Sequence, residues 1–191
     1  MEFLTNLWLP IVAAAAAVWV ASALAWMLVG HHSKDSIALP DEDGTLRKLE
    51  GIPAGNYTFP HPVDRKQCRD PEFIKKWERG PAGLLTIYPK VSMGKNMVLT
   101  LLTYVVVSTL IGYVAWQVQG SLGGDKVKIF QVVGTMGVLS YAFAFIPNQI
   151  WFGAYPRAIA MCVIDGVVYG LVTGGVFALL WPKVGVTVPG L

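Results

Sequence analysis

One acidic residue, Asp165, lies inside an otherwise uncharged apolar stretch toward the C-terminal end of the 191-residue sequence. It follows Ala158, where that stretch begins, by seven positions, which corresponds to about 10 Å along a helix. A carboxyl group at such depth in a membrane is costly and usually faces other protein groups. Asp165 therefore either carries a proton or a cation, or forms a buried polar link between helices. The candidate partners for such a link are Arg157, Asn148 and Gln149.

The histidines are the next candidates, because imidazole is a common metal ligand and the usual axial ligand of haem in membranes. They are His31, His32 and His61, and none lies inside an apolar stretch. On an α-helix, adjacent side chains point about 100° apart, so we expect His31 and His32 not to converge on one ion. We interpret both as interfacial residues that contact lipid headgroups or water, with no metal bound. The alternative is a metal site completed by a nearby acid, namely Asp35, Asp41 or Asp43.

Motifs of the common enzyme classes are absent from the sequence. It contains no P-loop, no Rossmann glycine fingerprint, no CxxC pair, no HExxH and no GxSxG elbow. The acidic run of residues 39–44 lacks the spacing of a calcium loop, and we interpret it as a turn. Cys68 and Cys162 lie in segments of different polarity and form neither a disulfide framework nor a zinc site. The sequence therefore predicts a protein that is not an enzyme and carries no cofactor.

The elements that must position these residues follow from composition and hydropathy. Hydrophobic residues make up 54% of the chain, charged residues make up 14%, and the mean hydropathy is +0.51. Soluble domains contain about 25% charged residues, so this composition is typical of a membrane protein. The net charge of +3 is too small to indicate nucleic-acid binding.

Four uncharged or nearly uncharged stretches are long enough to cross a bilayer, which takes about 20 apolar residues. We therefore predict an all-α membrane protein in which residues 1–29 form the first transmembrane helix. Residues 30–95 form a proline-rich polar segment, and residues 96–191 contain the other three helices and a short C-terminal tail. The predicted spans cover residues 7–29, 97–118, 129–146 and 158–181, with Pro10 in the first turn of the first span.

The distribution of basic residues predicts the orientation in the membrane. Eleven of the 15 lysines and arginines fall within residues 30–95, and positive charge near the ends of spans collects on the cytoplasmic side. The polar segment is therefore expected in the cytoplasm, with both termini outside. Arg157 agrees with this orientation, whereas Lys126, Lys128 and Lys183 fall on the opposite side.

Local order is predicted at two places in the polar segment. Asp70 as a cap, Pro71 in the first turn and Gly80 as a stop indicate a short helix over residues 71–79. This helix either lies on an anionic leaflet or packs on its own loop or on a partner. Its apolar and basic side chains are Phe73, Ile74, Trp77, Lys75, Lys76 and Arg79. A strand over residues 84–88 pairs with residues 56–59 in a short hairpin.

Glycines in the last two spans predict close helix packing. Gly166, Gly170 and Gly174 recur every four residues in the fourth span, and Gly134 and Gly137 lie in the third. Small residues at such spacing let helix backbones approach closely in lipid. The partner of this face is either another helix of the chain or another membrane protein.

Several motifs together resemble a family of small bacterial membrane proteins with four helices, and the resemblance covers nearly the whole chain. It implies topology and bacterial origin, hence the inner membrane, and supplies no catalytic residues. The motifs are HHSKD (31–35), LPDED (39–43), AGNYTFP (54–60), GPAGLLTIYP (80–89), MGKN (93–96) and VIDGVVYGLVTGG (163–175).

We therefore expect a non-catalytic accessory subunit that stabilises a larger membrane assembly, such as a respiratory or photosynthetic complex. Its partners are membrane lipids and membrane-protein subunits that contact the glycine-rich faces and the polar segment. A small transporter or proton-coupled channel that uses Asp165 is the first alternative. A metal-responsive membrane protein that uses His31, His32 and the nearby acids is the second.

Overall fold

The structure is a computed structural model that describes residues 2–182, so most of the predicted C-terminal tail lies outside the described residues. Four long helical stretches form a bundle, and the polar segment lies between the first and the second. The helices are α1 (Glu2–Leu24), α2 (Glu42–Leu49), α3 (Pro71–Arg79), α4 (Met93–Gln117), α5 (Gln119–Leu122), α6 (Lys126–Val138), α7 (Ile146–Trp151) and α8 (Pro156–Leu180). The strands are β1 (Gly55–Phe59) and β2 (Gly83–Ile87).

Four helical stretches are long and apolar enough to cross a membrane, which confirms the predicted number of spans. An apolar segment in lipid must bond its own backbone groups, and a helix does this within the segment. The first stretch begins at Glu2 rather than near Leu7, so the prediction that Pro10 lies in the first turn is wrong and Pro10 is inside α1. The four stretches are Glu2–Val29, Met93–Gln117, Lys126–Trp151 and Pro156–Leu180.

Two of these stretches contain a π-helical turn. The first turn covers Ala25–Val29 after α1, and the second covers Leu139–Phe143 after α6. Such wider turns change the direction of the side chains that follow and are frequent at functional sites. The first turn ends at Gly30, whose φ of 67° is left-handed.

The core of the bundle lies among α1, α4, α6 and α8. The indole Nε1 of Trp19 donates a hydrogen bond to the carbonyl oxygen of Met97 at 3.1 Å. This bond places the C-terminal half of α1 beside the first turns of α4, so both ends of the polar segment leave from the same end of the bundle. The largest buried side chains of the core include Leu7, Ile11, Ile111, Ile129 and Phe177.

The predicted packing glycines lie where α8 contacts α6 and the π-helical turn after it, within the chain. A Cβ atom added to Gly166 would lie 2.5 Å from Cα of Ala142, and one added to Gly170 would lie 2.4 Å from the backbone nitrogen of Val138. A side chain at either position would force the helices apart, so glycine permits this approach. The same holds for Gly174 against Gly134 and for Gly137 against Gly170.

The polar segment contains the predicted helix and the predicted hairpin. The side chain of Asp70 accepts a hydrogen bond from the backbone nitrogen of Glu72 at 2.9 Å, and Gly80 follows the last residue of α3. β1 and β2 pair antiparallel, with Gly55 opposite Ile87. The helix over residues 71–79 and the pairing of the two strands are therefore confirmed, with the second strand displaced by one residue.

The acidic run before α2 differs from its interpretation as a turn. The side chain of Asp41 accepts a hydrogen bond from the backbone nitrogen of Gly44 at 3.0 Å and caps α2. Glu42 and Asp43 occupy the first turn of this helix, where the positive end of the helix dipole favours carboxylates. The turn interpretation is therefore wrong for residues 42–44, because the acids begin a helix.

Candidate functional site

Asp165 lies where α8 meets the residues that follow α1. Its side chain is 9% exposed, and it follows Pro156, the first residue of α8, by nine positions. Its Oδ1 lies 2.8 Å from Nε2 of His31, and its Oδ2 lies 2.9 Å from Nε2 of His32. Both oxygens of this buried carboxylate are therefore in contact with imidazole.

His31 and His32 reach Asp165 because α1 ends before them. The left-handed Gly30 stops the π-helical turn, and His31–Lys34 form a single 3-10 turn that contacts α8. The expectation that the two histidines diverge is wrong, since it assumed that one α-helix continues through both. Nε2 of each ring instead contacts a different oxygen of Asp165, and the two ring centroids lie 4.2 Å apart.

Asp35 and Arg157 form the outer part of this cluster. Nδ1 of His32 lies 2.6 Å from Oδ2 of Asp35, and the guanidinium of Arg157 pairs with the other oxygen, Oδ1. Arg157 also donates a hydrogen bond to the backbone oxygen of His31 at 2.8 Å. The first turn of α8 thus fixes Asp35, and Asp35 fixes the ring of His32.

Two aromatic residues complete the walls of the cluster. Trp26, in the π-helical turn after α1, stacks on His32 with ring centroids 3.8 Å apart and planes inclined by 7°. Tyr169, one helical turn after Asp165, donates its hydroxyl to Oδ2 of Asp165 at 3.3 Å. The indole fixes the plane of the imidazole and favours its cationic form.

The charges of the cluster require one more positive charge. Two carboxylates, Asp35 and Asp165, face a single guanidinium, that of Arg157. If both imidazoles were neutral, the cluster would carry one net negative charge. An uncompensated buried charge is strongly unfavourable. A proton on an imidazole or on a carboxyl group, or a bound metal cation, would supply the missing positive charge.

The surroundings of His32 favour its charged form when no metal is bound. Burial lowers the pKa of His32, but the hydrogen bonds to Asp165 and Asp35 and the charges of both carboxylates outweigh burial and raise that pKa above its ordinary value. An imidazole that donates from both ring nitrogens is an imidazolium. Both ring nitrogens of His32 lie within hydrogen-bond distance of a carboxylate oxygen, so a protonated ring could donate at both positions.

The same atoms fit a metal ion. Nε2 of His31, Nε2 of His32 and a carboxylate oxygen of Asp165 all lie within 4.8 Å of one another. Ligand atoms in a tetrahedral zinc site are about 3.3 Å apart, given bonds of about 2.0–2.1 Å. The observed contacts of 2.8 and 2.9 Å reach that spacing if the side chains move apart by about 0.5 Å.

One outer hydrogen bond, that of His32, also matches those of metal sites. Histidine ligands commonly donate their second ring N–H to a carboxylate, which fixes the tautomer and the ring orientation. Nδ1 of His32 has this contact with Asp35. Nδ1 of His31 is buried and has no hydrogen-bond partner among residues 2–182, so the polar contact of this ring is made by Nε2, at the cluster.

The predicted polar partners of Asp165 differ from those in the structure. Arg157 pairs with Asp35, and within the described part of the chain Asn148 and Gln149 make no side-chain hydrogen bond to Asp165. Their place is taken by two histidines and a tyrosine of α8. Helical i, i+4 spacing was the available signal for Tyr169.

Of the acids considered beside the histidines, the structure places one in the cluster. Asp35 binds His32, whereas Asp41 caps α2. Trp26 belongs to the cluster without a sequence signal that separates it from the other tryptophans. The predicted interfacial residues Phe73, Lys75, Lys76, Trp77 and Arg79 lie on α3, outside the cluster.

The fold and the cluster define a class: a protein with four helices of transmembrane length and a buried histidine–aspartate cluster at one end of the bundle. Comparisons of the chain with protein-family models, with curated proteins and with solved structures gave no match. The chemistry of the cluster is therefore the basis for a function.

Proposed function

We propose that the protein binds one divalent first-row transition-metal ion, such as Zn²⁺, through His31, His32 and Asp165. The observation that carries this proposal is the convergence of two imidazole Nε2 atoms on a buried carboxylate, in a cluster that lacks one positive charge. A divalent ion supplies that charge. Imidazole nitrogen suits Zn, Cu, Fe and Ni, whereas Mg²⁺ and Ca²⁺ prefer sites made of oxygen ligands.

In this proposal Asp35 and Arg157 are supporting residues. Asp35 accepts the Nδ1 proton of His32, which leaves the lone pair of Nε2 directed at the ion. Arg157 holds Asp35 and the backbone of His31 in position. The ion ties the end of the first span and the start of the polar segment to α8.

We further propose that the chain is a multi-pass protein of the bacterial inner membrane, with the polar segment in the cytoplasm. The support for this orientation is the concentration of 11 of 15 basic residues between residues 30 and 95. The metal site then lies at the cytoplasmic end of the bundle, where the cytoplasmic metal pool has access to it.

The role of an accessory subunit is compatible with a metal site of this kind. The glycines of the third and fourth spans do not support an accessory role, because they pack α8 against α6 and the turn after it within the chain. A partner subunit would have to bind another surface. Transport through Asp165 has less support than metal binding, because no other charged residue of 158–181 continues a path along the span.

Metal binding is tested on the full-length protein, purified in detergent with an affinity tag that contains no histidine. After chelation and equilibration with Zn²⁺, elemental analysis should find one ion per chain. Asp35→Asn should weaken zinc binding about 10–100-fold, as expected for loss of an outer hydrogen-bond partner. His31→Ala, His32→Ala and Asp165→Asn each remove a ligand and should weaken binding more than Asp35→Asn does.

The third histidine provides a matched control. His61 lies in the polar segment and is exposed, so His61→Ala should bind zinc like the wild type. Equal zinc binding by His32→Ala and His61→Ala would refute the site. A folded wild type that takes up none of the divalent ions Zn²⁺, Co²⁺, Ni²⁺ and Fe²⁺ would identify the cluster as a protonated ion pair instead.

A further inference from the structure

α3 and the turn before it form an exposed surface that combines cations with apolar side chains. Five basic residues there make no salt bridge within the part of the chain that the structure describes. We call this surface the basic platform. It comprises Arg65, Lys66, Arg69, Lys76 and Arg79 together with the exposed apolar residues Ile74 and Trp77.

The acids of the same region are mostly engaged by local bonds. Asp64 accepts hydrogen bonds from two backbone nitrogens at 2.8 Å, and Asp70 caps α3. Glu72 pairs with Lys75 at 2.9 Å. Glu78 is left as the one carboxylate of residues 61–79 without such a bond in the described structure. A carboxylate keeps its charge when it accepts a hydrogen bond, so residues 61–79, with six basic and four acidic side chains, present a net charge of +2.

Apolar groups accompany this charge. Ile74 is 41% exposed and Trp77 is 47% exposed, although both are large side chains on a short helix. An apolar groove of about 500 Å³ lies beside α3, lined by Phe73 and by Pro62 and Cys68 of the preceding turn, among others. A helix with basic and apolar side chains of this kind suits the boundary between lipid headgroups and acyl chains.

The chain connectivity keeps the platform close to a membrane. The polar segment starts after Val29 and ends before Met93, where two long apolar helices lie side by side. The cluster at Asp165 holds the start of the segment against α8. Both ends of the segment that carries the platform are therefore attached at the same end of the bundle. This attachment keeps the local concentration of the platform near the adjacent leaflet high.

We propose that the basic platform binds the anionic leaflet at that end of the bundle. The five cations contact lipid phosphates, and Trp77 and Ile74 enter the headgroup layer. Each Lys or Arg near an anionic surface strengthens binding about fivefold. The occupant of the platform is thus the surface of the bilayer in which the bundle itself is embedded.

The test uses the full-length protein in nanodiscs of phosphatidylcholine, with or without phosphatidylglycerol, and hydrogen exchange of residues 63–79. Exchange should be slower in the anionic discs, and high salt should remove the difference. Lys76→Gln combined with Arg79→Gln should weaken the lipid contact about 25-fold and return exchange to the rate in neutral discs.

α2 offers a matched control. Arg47 and Lys48 lie in its last turn, so Arg47→Gln with Lys48→Gln removes the same charge from the polar segment and should leave exchange of residues 63–79 unchanged. A fluorophore on the exposed Cys68, in a Cys162→Ala background, provides a second readout. Brominated anionic lipids should quench this fluorophore.

Two results would overturn the proposal. One is equal exchange and equal quenching in neutral and anionic discs. The other is protection that appears only when a disc contains two copies of the protein, whatever the lipid charge, which would assign the platform to a contact between copies of the chain.

Discussion

The histidine–aspartate cluster and the basic platform both contain charged and aromatic residues, but they are built differently. In the cluster, His31 and His32 contact a residue 134 and 133 positions away in the sequence, and Asp165 is 7% exposed. In the segment that carries the platform, the hydrogen bonds of Asp64, Asp70 and Glu72 span two or three residues. The cluster depends on the packing of the bundle, whereas the platform depends on local caps.

This difference determines how each region responds to substitution. A buried charge that loses its partner leaves the other group uncompensated, which is costly. An exposed ion pair contributes little, because solvent already stabilises both charges. Changes in the bundle should therefore affect both stability and metal binding, while changes in the platform should affect only local order and lipid contact.

The largest effect is expected from a methyl group at the contact between α8 and the π-helical turn after α6. Gly166→Ala places Cβ 2.5 Å from Cα of Ala142, so the helices must separate. Such overpacking costs about 1–3 kcal/mol or more, and it displaces the adjacent Asp165. Thermal unfolding in detergent should show a lower midpoint, and zinc affinity should fall.

Gly175→Ala is the control for this substitution. A Cβ atom at Gly175 meets nothing within 4 Å, and alanine favours a helix interior over glycine by about 1 kcal/mol. Its unfolding midpoint should equal or exceed that of the wild type. Equal midpoints for Gly166→Ala and Gly175→Ala would contradict the close contact of α8 with the π-helical turn after α6.

An intermediate effect is expected from pH, with opposite signs for the metal-free and the zinc-bound protein. The pKa of His32 is raised by its carboxylate partners, after the opposing effect of burial. Its stabilising contribution is therefore complete below about pH 6.5, the ordinary value for histidine, and is lost as pH rises through the raised pKa. Zinc binding requires neutral imidazole, so zinc affinity should instead rise with pH.

Thermal unfolding between pH 5.5 and pH 9 measures both trends. In the metal-free protein, the difference between wild type and His32→Gln should shrink as pH rises. His61→Ala should follow the wild type throughout. A constant difference between wild type and His32→Gln over this range would show that protonation of His32 does not stabilise the fold.

The smallest effect is expected at the cap of α3. Asp70→Ala removes the acceptor for the Glu72 backbone nitrogen, which costs about 1 kcal/mol. Exchange of residues 71–79 should become faster, while the unfolding midpoint and the zinc content stay unchanged. A loss of zinc in this variant would indicate that the histidine–aspartate cluster and the segment of the basic platform are coupled.

The elements that could be predicted from the sequence are those set by neighbouring residues. The four spans follow from uninterrupted apolar stretches, and α3 follows from Asp70, Pro71 and Gly80. The pairing of β1 with β2 follows from the short run of residues 84–88, which is bounded by Pro81, Gly83 and Pro89 and was predicted to pair with residues 56–59. The position of Pro10 within α1 and the presence of α2 were not predicted, because the exact start of a helix depends on contacts outside the local pattern.

The residues of the cluster could be predicted from the sequence only in part. Asp165 stands out in the sequence because it is the acid inside a span, and the histidines stand out because the chain has only three. Their convergence was not predictable from helical spacing, since the spacing argument required α1 to continue past Gly30. That glycine and the π-helical turn before it redirect the chain toward α8.

The sequence by itself determined which segments are apolar enough to span a membrane, where the short helix and the hairpin of the polar segment form, and which residue types are available for chemistry. These properties depend on hydropathy and on bonds between near neighbours. Tertiary structure alone decided that two histidines meet one carboxylate and that the glycine faces pack within the chain. Both depend on the relative position of helices that are far apart in sequence, which packing of the whole bundle sets.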